Sequence, residues 1–284
     1  MSDTGPLDLP AWSEVFHGDD LAPRPELGLD HPITREWAYG DGSGRGVRVA
    51  VIDSGVDGSH PLVGGVSEHV AIVIDPEQEG GVRIETAPHE DLYGHGTACA
   101  GVIKSLAPEV ELVSVRVLGA SLKGSAGVFA KGVEWCIENG VTIANLSLST
   151  TNERWAETFH ELLDEAAFRR VMLVSAMANE HKRSIPSEFA GVFSVACGPG
   201  ADREQIWCNP HGPAEWAAVG IDVEVAWKDH STITADGNSF AAPVVAGHLA
   251  RIMGAHPDLT PWQARTVLAS VAVNEPTGRR PLRA

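Results

Sequence analysis

The chain is short of almost everything that would mark a disulfide scaffold, a metal centre, a nucleic-acid binder or a membrane span. It has 4 cysteines in 284 residues, Cys99, Cys136, Cys197 and Cys208, and none forms a zinc-type Cys-x-x-Cys pair. Cys99 and Cys136 stand in apolar, helix-like surroundings that predict buried thiols. Cys197 and Cys208 flank a loop and could bridge, although a reducing compartment argues against a bond. The 12 histidines include no His-Glu-x-x-His run. Asp57 and Asp75 belong to no spaced oxygen-ligand loop. No required metal and no cofactor are expected.

Basic residues are also scarce, 21 Lys and Arg against 38 Asp and Glu, for a formal net charge of -17. A chain this acidic is a poor partner for nucleic acid or for an anionic membrane surface. No apolar run approaches the ~18 residues that span a bilayer. Met1 to Leu7 carry neither a basic n-region nor an apolar h-region. The expectation is a soluble, cytoplasmic protein with no nucleic-acid or membrane partner.

What is present is a hydrophobic fraction of 43% with 30 Gly and 18 Pro, enough for a large α/β core. Short β-branched runs at Val47–Ile52, Val110–Val117, Val141–Leu146, Val171–Ala176 and Val192–Cys197 predict buried strands. A short helix is expected over Ile33–Ala38. Gly127–Glu138 and Asn152–Arg169 place their large apolar residues on one stripe and predict longer helices, the first ended by Gly140. Strands alternating with helices imply a mostly parallel sheet flanked by helices, with sites beyond the carboxyl ends of the strands. The glycine-rich run Gly40–Gly46 precedes a strand instead of following one, which argues against a dinucleotide-binding loop. Residues 1–26 have no convincing periodicity and are expected to form an N-terminal extension ahead of one domain spanning 27–284.

Three stretches carry chemistry. Asp53 ends the first strand. His95 lies in Gly94-His95-Gly96-Thr97 before a small-residue helix. Ser239 lies in Gly237-Asn238-Ser239-Phe240-Ala241-Ala242-Pro243, at the start of another. A serine hydroxyl becomes a nucleophile when an imidazole removes its proton and a carboxylate orients that imidazole. A helix start also favours developing negative charge. Asn179, after the strand that ends at Ala178, offers an amide donor for an oxyanion.

The order Asp53, His95, Ser239, with Val49-Ala50-Val51-Ile52-Asp53-Ser54-Gly55, Gly94-His95-Gly96-Thr97 and the serine stretch, resembles the subtilisin-like serine proteases. The resemblance runs from about Leu27 to about Val273. It implies the subtilisin-like three-layer fold and a serine endopeptidase working through an acyl-enzyme, with a peptide or protein as its substrate. It assigns catalytic roles to Asp53, His95, Ser239 and Asn179. It also implies a substrate cleft between Lys123-Gly124-Ser125-Ala126-Gly127, pairing with an extended peptide, and Ser147-Leu148-Ser149.

The chain departs from that pattern in several places. Ser149 and Thr150 replace two usual glycines, which either narrows the cleft or displaces the loop. Ala178 stands where glycine is usual, which bears on the aim of Asn179. His181, Lys182 and Arg183 fall where the primary specificity pocket is built, open either to an acidic substrate side chain or to plain solvation. The histidine helix runs almost directly into the next strand, without the loop that holds a tight calcium ion. Only about 26 residues precede the protease region, with Leu9-Pro10-Ala11-Trp12 resembling a cleft-blocking segment. These departures predict restricted specificity. A leader-processing or macrocyclising protease of a ribosomal peptide pathway, and an inactive peptide-binding homologue, are the alternatives.

Overall fold

The computed structural model describes residues 32–209 and 211–274. The N-terminal extension, with Leu9 to Trp12, and the tail beyond Asn274 lie outside the described residues. The strands are β1 (Arg48–Asp53), β2 (Glu68–Ile74), β3 (Val82–Glu85), β4 (Glu111–Arg116), β5 (Ile143–Leu146), β6 (Met172–Ala176), β7 (Phe193–Cys197), β8 (Ile206–Cys208), β9 (Trp216–Ala218), β10 (Val223–Ala226) and β11 (Thr232–Ala235). The helices are α1 (Arg35–Tyr39), α2 (His95–Leu106), α3 (Ala126–Glu138), α4 (Ala156–Phe168), α5 (Asn238–Ala255) and α6 (Pro261–Ser270).

Among the described residues, one nine-stranded sheet has the order β3-β2-β4-β1-β5-β6-β7-β9-β8. Its pairs are parallel except β2–β3 and β8–β9 at the two edges. The five strands expected from apolar runs are its contiguous centre, β4-β1-β5-β6-β7. Strands buried on both faces read as continuous hydrophobic runs. The sequence expectation passes over the other six, which are edge or near-edge strands and the separate β10–β11 hairpin. Most are short or polar: β8 and β9 have three residues each, and β11 shows its side chains alternately to solvent, but β2, with the apolar run Val70–Ile74, is a strand the sequence expectation simply missed.

Alternation along β1 divides the core into two layers. Ala50 and Ile52 pack in a cluster with Val128, Phe129 and Val133 of α3 and Phe159 and Leu163 of α4. On the other face α2 and α5 lie against the sheet and each other, with α1 and α6 packed on α5. This is a helix–sheet–helix sandwich, as the three-layer expectation requires. Asn152 caps a 3-10 turn, Glu153–Trp155, before α4 begins, so the expected single helix over 152–169 is divided at Trp155. Gly140, at φ 68, follows the end of α3 in the left-handed conformation that a side chain resists. Cys99 and Cys136 are buried thiols, and Cys197 and Cys208 are free and half-buried, without the bridge the spacing allowed.

Candidate active site

β1 delivers Asp53 to the carboxyl edge of the sheet, where the carboxylate is fully buried. The Ser54 N–H donates to its Oδ1 at 2.8 Å. His95 is the first residue of α2, and its Nδ1 lies 3.0 and 2.8 Å from Asp53 Oδ1 and Oδ2. Facing a carboxylate, Nδ1 carries the proton and donates, which leaves Nε2 as the bare, basic nitrogen. The approach depends on Gly96, where a Cβ would stand 2.0 Å from the Gly55 carbonyl oxygen and 3.1 Å from Asp53 Cβ. Burial opposes a charge on His95, but the Asp53 carboxylate and its hydrogen bond, joined by Asp91, outweigh it. The imidazole pKa is therefore raised above its usual value.

Asp91 shapes the turn that presents His95, a role sequence reasoning did not assign. Its buried Oδ1 accepts from Ser54 Oγ at 2.7 Å, Tyr93 N–H at 2.9 Å and Gly94 N–H at 2.8 Å. Its Oδ2 accepts from Thr97 N–H at 2.8 Å and Thr97 Oγ1 at 2.6 Å. A carboxylate so satisfied rigidifies the loop it crosses. The only sequence signal was an acidic residue three positions before Gly94.

Ser239 enters from the opposite side, in the first turn of α5. Gly237 precedes it at φ 154, a conformation favouring glycine. A Cβ at Gly237 would lie 3.2 Å from Ser239 Oγ, 3.4 Å from Asn179 Nδ2 and 3.6 Å from Asn179 Oδ1. Hydroxyl and amide therefore both border the space that the absent Gly237 side chain leaves. Asn179 Oδ1 accepts from the Asn238 N–H at 2.9 Å, so the amide cannot flip without opposing two donors and its NH₂ is left free to donate elsewhere. Asn238 in turn ties this corner to the sheet. Its Oδ1 accepts from Cys197 N–H at 2.8 Å and its Nδ2 donates to the Met177 and Ala178 carbonyls, both at 3.1 Å. Ala178, for all that it replaces a usual glycine, is held at both ends, since its N–H donates to Ser184 Oγ at 2.9 Å.

Cys99 lies beneath both halves. Its sulfur, a His95 ring nitrogen and an Asp53 carboxylate oxygen are within 4.8 Å of one another. It also reaches the Ser239 carbonyl at 3.5 Å. The His95 and Phe240 rings are 5.4 Å apart. Asp53, His95 and Cys99 are the one compact set of possible metal ligands among the described residues. Burial pushes the Cys99 thiol well above its usual pKa, which keeps it protonated and a poor ligand.

Residues 44–282 match the model of the subtilase family. The chain belongs to the subtilase family. It is 30% identical over 246 residues to subtilisin Savinase of Lederbergia lenta, covering 82% of this chain and 85% of that protein. It is 31% identical over 237 residues to a thermostable alkaline protease of Halalkalibacterium halodurans, covering 78% of this chain but 61% of that protein's length. Among solved structures it resembles a cold-adapted subtilisin-like serine proteinase, with a TM-score of 0.63 and 26% identity over 80% of this chain and 82% of that one. The enzyme class that accompanies the family is serine-type endopeptidase.

In this subtilase a cleft of about 440 Å³ opens beside Ser239 and Asn179, walled by Ser147, Leu148, Ser149 and Thr150. Ser149 and Thr150 both line this cleft. Thr150 and Ile185 exchange two backbone hydrogen bonds of 2.9 Å each, holding the segment against the cleft. Of the basic trio, Lys182 alone lines the cleft, together with Glu180, which accepts from it at 3.1 Å. Arg183 turns to Glu153 at 3.3 Å and Glu188 at 3.1 Å, and His181 is exposed.

The other expected wall is shorter than the sequence implied. Ser125 is the N-cap of α3, its Oγ accepting from Val128 N–H at 3.1 Å, and Ala126 and Gly127 form the first helical turn. A helical backbone offers no extended edge at Ala126 and Gly127, while Ser125 itself is still extended, at φ -87 and ψ 149. The signal was legible, since Ser125 before an apolar-periodic run is an N-cap pattern.

Proposed function

We propose that this subtilase cleaves extended peptide segments, with Ser239 as nucleophile, His95 as general base and then acid, and Asp53 as the group that orients the imidazole. The observation that carries the reading is the placing of Ser239 Oγ and the oriented Asn179 amide on the same small space beside Gly237, with an imidazole already bonded to a buried carboxylate. His95 Nε2 takes the Ser239 proton as Oγ attacks the scissile carbonyl. The imidazolium formed is stabilised by Asp53, and the proton then passes to the leaving amine. The oxyanion is met by Asn179 Nδ2 and the Ser239 N–H, an amide of the first helical turn with no intrahelical acceptor. Among the described residues the His95 ring hydrogen-bonds to Asp53 alone; its bond to Ser239 belongs to the substrate complex, where catalytic hydrogen bonds tighten.

The cleft geometry supports an extended substrate. Lys123 and Gly124 follow the carboxyl end of β4, and Ser147 follows that of β5, with β1 between them. Two strand spacings make a gap of about 10 Å, the width for one peptide chain with a protein strand on each side. Restricted side-chain preference is assigned to Thr150, Met177, Glu180 and Lys182 along the cleft. A fluorophosphonate tests the nucleophile: one label per chain is expected, absent in Ser239→Ala, and undiminished labelling of that variant would place the nucleophile elsewhere. Product masses from a peptide library give the sequence preference, and products lacking the added water would mark ligation over hydrolysis.

A further inference from the structure

The helix carrying Ser239 has a backbone defect at the nucleophile itself. In an α-helix the carbonyl of residue i accepts from the N–H of residue i+4. For Ser239 that residue is Pro243, inside α5, and proline has no N–H to give. The Ser239 carbonyl therefore needs a donor from outside the helix. Ser147 Oγ supplies one at 2.9 Å, with the Cys99 thiol a weaker second at 3.5 Å.

The direction of the Ser147 hydroxyl is itself fixed. Asn145 Nδ2 donates to Ser147 Oγ at 2.9 Å, and the Cys99 sulfur lies 3.3 Å from the same oxygen, its single hydrogen shared between that oxygen and the Ser239 carbonyl. With a lone pair engaged by Asn145, the hydroxyl has its own hydrogen to spend on Ser239. Asn145 is fully buried at the end of β5, and its Oδ1 finds no partner among the described residues. Burying half an amide unpaired is unfavourable; the half that is used points at Ser147.

We propose that Ser147 is a positioning residue for the nucleophile, its hydroxyl replacing the helical N–H that Pro243 lacks, with Asn145 setting the direction of that hydroxyl. The relay Asn145–Ser147–Ser239 ties the first turn of α5 to the rigid centre of the sheet. It fixes the Ser239 peptide unit, and with it the aim of Oγ and of the backbone N–H. Misplacement of a reacting group by about 1 Å costs on the order of 10²-fold in rate. The proposal rests on Ser239 as the nucleophile, and it gives Ser147 a task beyond lining the substrate cleft.

The test is a cycle between Ser147→Ala and Pro243→Ala in the full-length chain, read by kcat and KM on one extended chromogenic peptide and by fluorophosphonate titration. Ser147→Ala is expected to lower kcat by about 10- to 100-fold with KM unchanged within about twofold. Pro243→Ala restores the missing N–H, so removing the Ser147 hydroxyl in that background is expected to cost less than about threefold. Should Ser147→Ala fail to fold, Ser147→Thr and Ser147→Val make the same comparison at similar bulk, with kcat expected at least about fivefold higher for the hydroxyl-bearing Thr variant, and equal kcat for the two overturning the proposal. A loss in KM alone would make Ser147 a substrate contact, and an equal kcat loss in both backgrounds would detach it from the Pro243 defect; either overturns the proposal. A labelled, active parent indifferent to Ser147→Ala overturns this proposal alone. A parent unlabelled at Ser239 overturns the triad reading as well.

Discussion

Asn179 and His95 are the residues whose geometry is most directly convertible into kinetics. Because Asn179 Oδ1 is occupied by the Asn238 N–H, its catalytic worth lies in Nδ2. Asn179→Ala is expected to lower kcat by roughly 10²–10³, a range known from an oxyanion donor in subtilisin itself, with KM little changed. Steady-state kinetics on a peptide substrate check it, and a KM-only effect would recast the amide as a binding group. The rate should rise with pH as His95 loses its proton, with the midpoint above the ordinary histidine value of about 6.5 because Asp53 favours the imidazolium. A kcat/KM profile already flat above pH 6 would contradict it. Asp53, His95 and Ser239, the residues proposed to do the chemistry, were conspicuous in the sequence because each stands close to permissive glycine. Asp91 and Asn145 were not, since a lone acid in a loop and an asparagine in an apolar strand acquire roles only when folding closes the surroundings around them.

At the scale of elements, the site is made by three chain ends converging: the end of β1, the start of α2 and the start of α5. The closest of these contacts is at Gly96, where even a methyl group would overlap the Gly55 carbonyl oxygen. Gly96→Ala is expected to destabilise the fold by about 2 kcal/mol or more, near the upper range for overpacking a core. Denaturant unfolding measures it, and a loss below about 0.5 kcal/mol would show that α2 can slide. The same scale sorts what sequence could reveal. The five central strands announced themselves as apolar runs because both their faces are covered. β3 at one edge, and β8 and β9 at the other, have mixed or very short patterns whose strand character is conferred by the neighbour they pair with, whereas the Val70–Ile74 run of β2 was legible and passed over. Ser125 shows the converse: the resemblance to a family cleft hid a local capping signal that was plainly written.

For the whole molecule, two histidines pull stability in opposite directions along the pH axis. His248, fully buried, donates from Nε2 to the Arg203 carbonyl at 2.8 Å. Burial lowers its pKa to about 4. Its folded value lies below its unfolded one, so its contribution is full above about pH 6.5 and is lost as pH falls through 4. That is on the order of 3 kcal/mol. Urea unfolding between pH 4 and 8 should show the loss, and His248→Gln, which keeps a donor, should flatten it; an unchanged slope would assign acid lability elsewhere. His95 has the opposite sign. Its raised pKa gives stability present below about pH 6.5 and lost as pH rises through the folded value. The pH at which His95 can act as a base is thus the pH at which its ion pair no longer supports the fold.

The extended substrate proposed for the cleft beside Ser239 and Ser147 has a consequence for which proteins can be victims. A slot that admits a single straightened backbone cannot engage a helix or a finished sheet, whatever letters they contain. Selection then falls on how often a target lets a segment come loose. Cleavage of a folded protein should follow the population of its opened form, so the choice of where to cut is made largely by the mechanics of the prey.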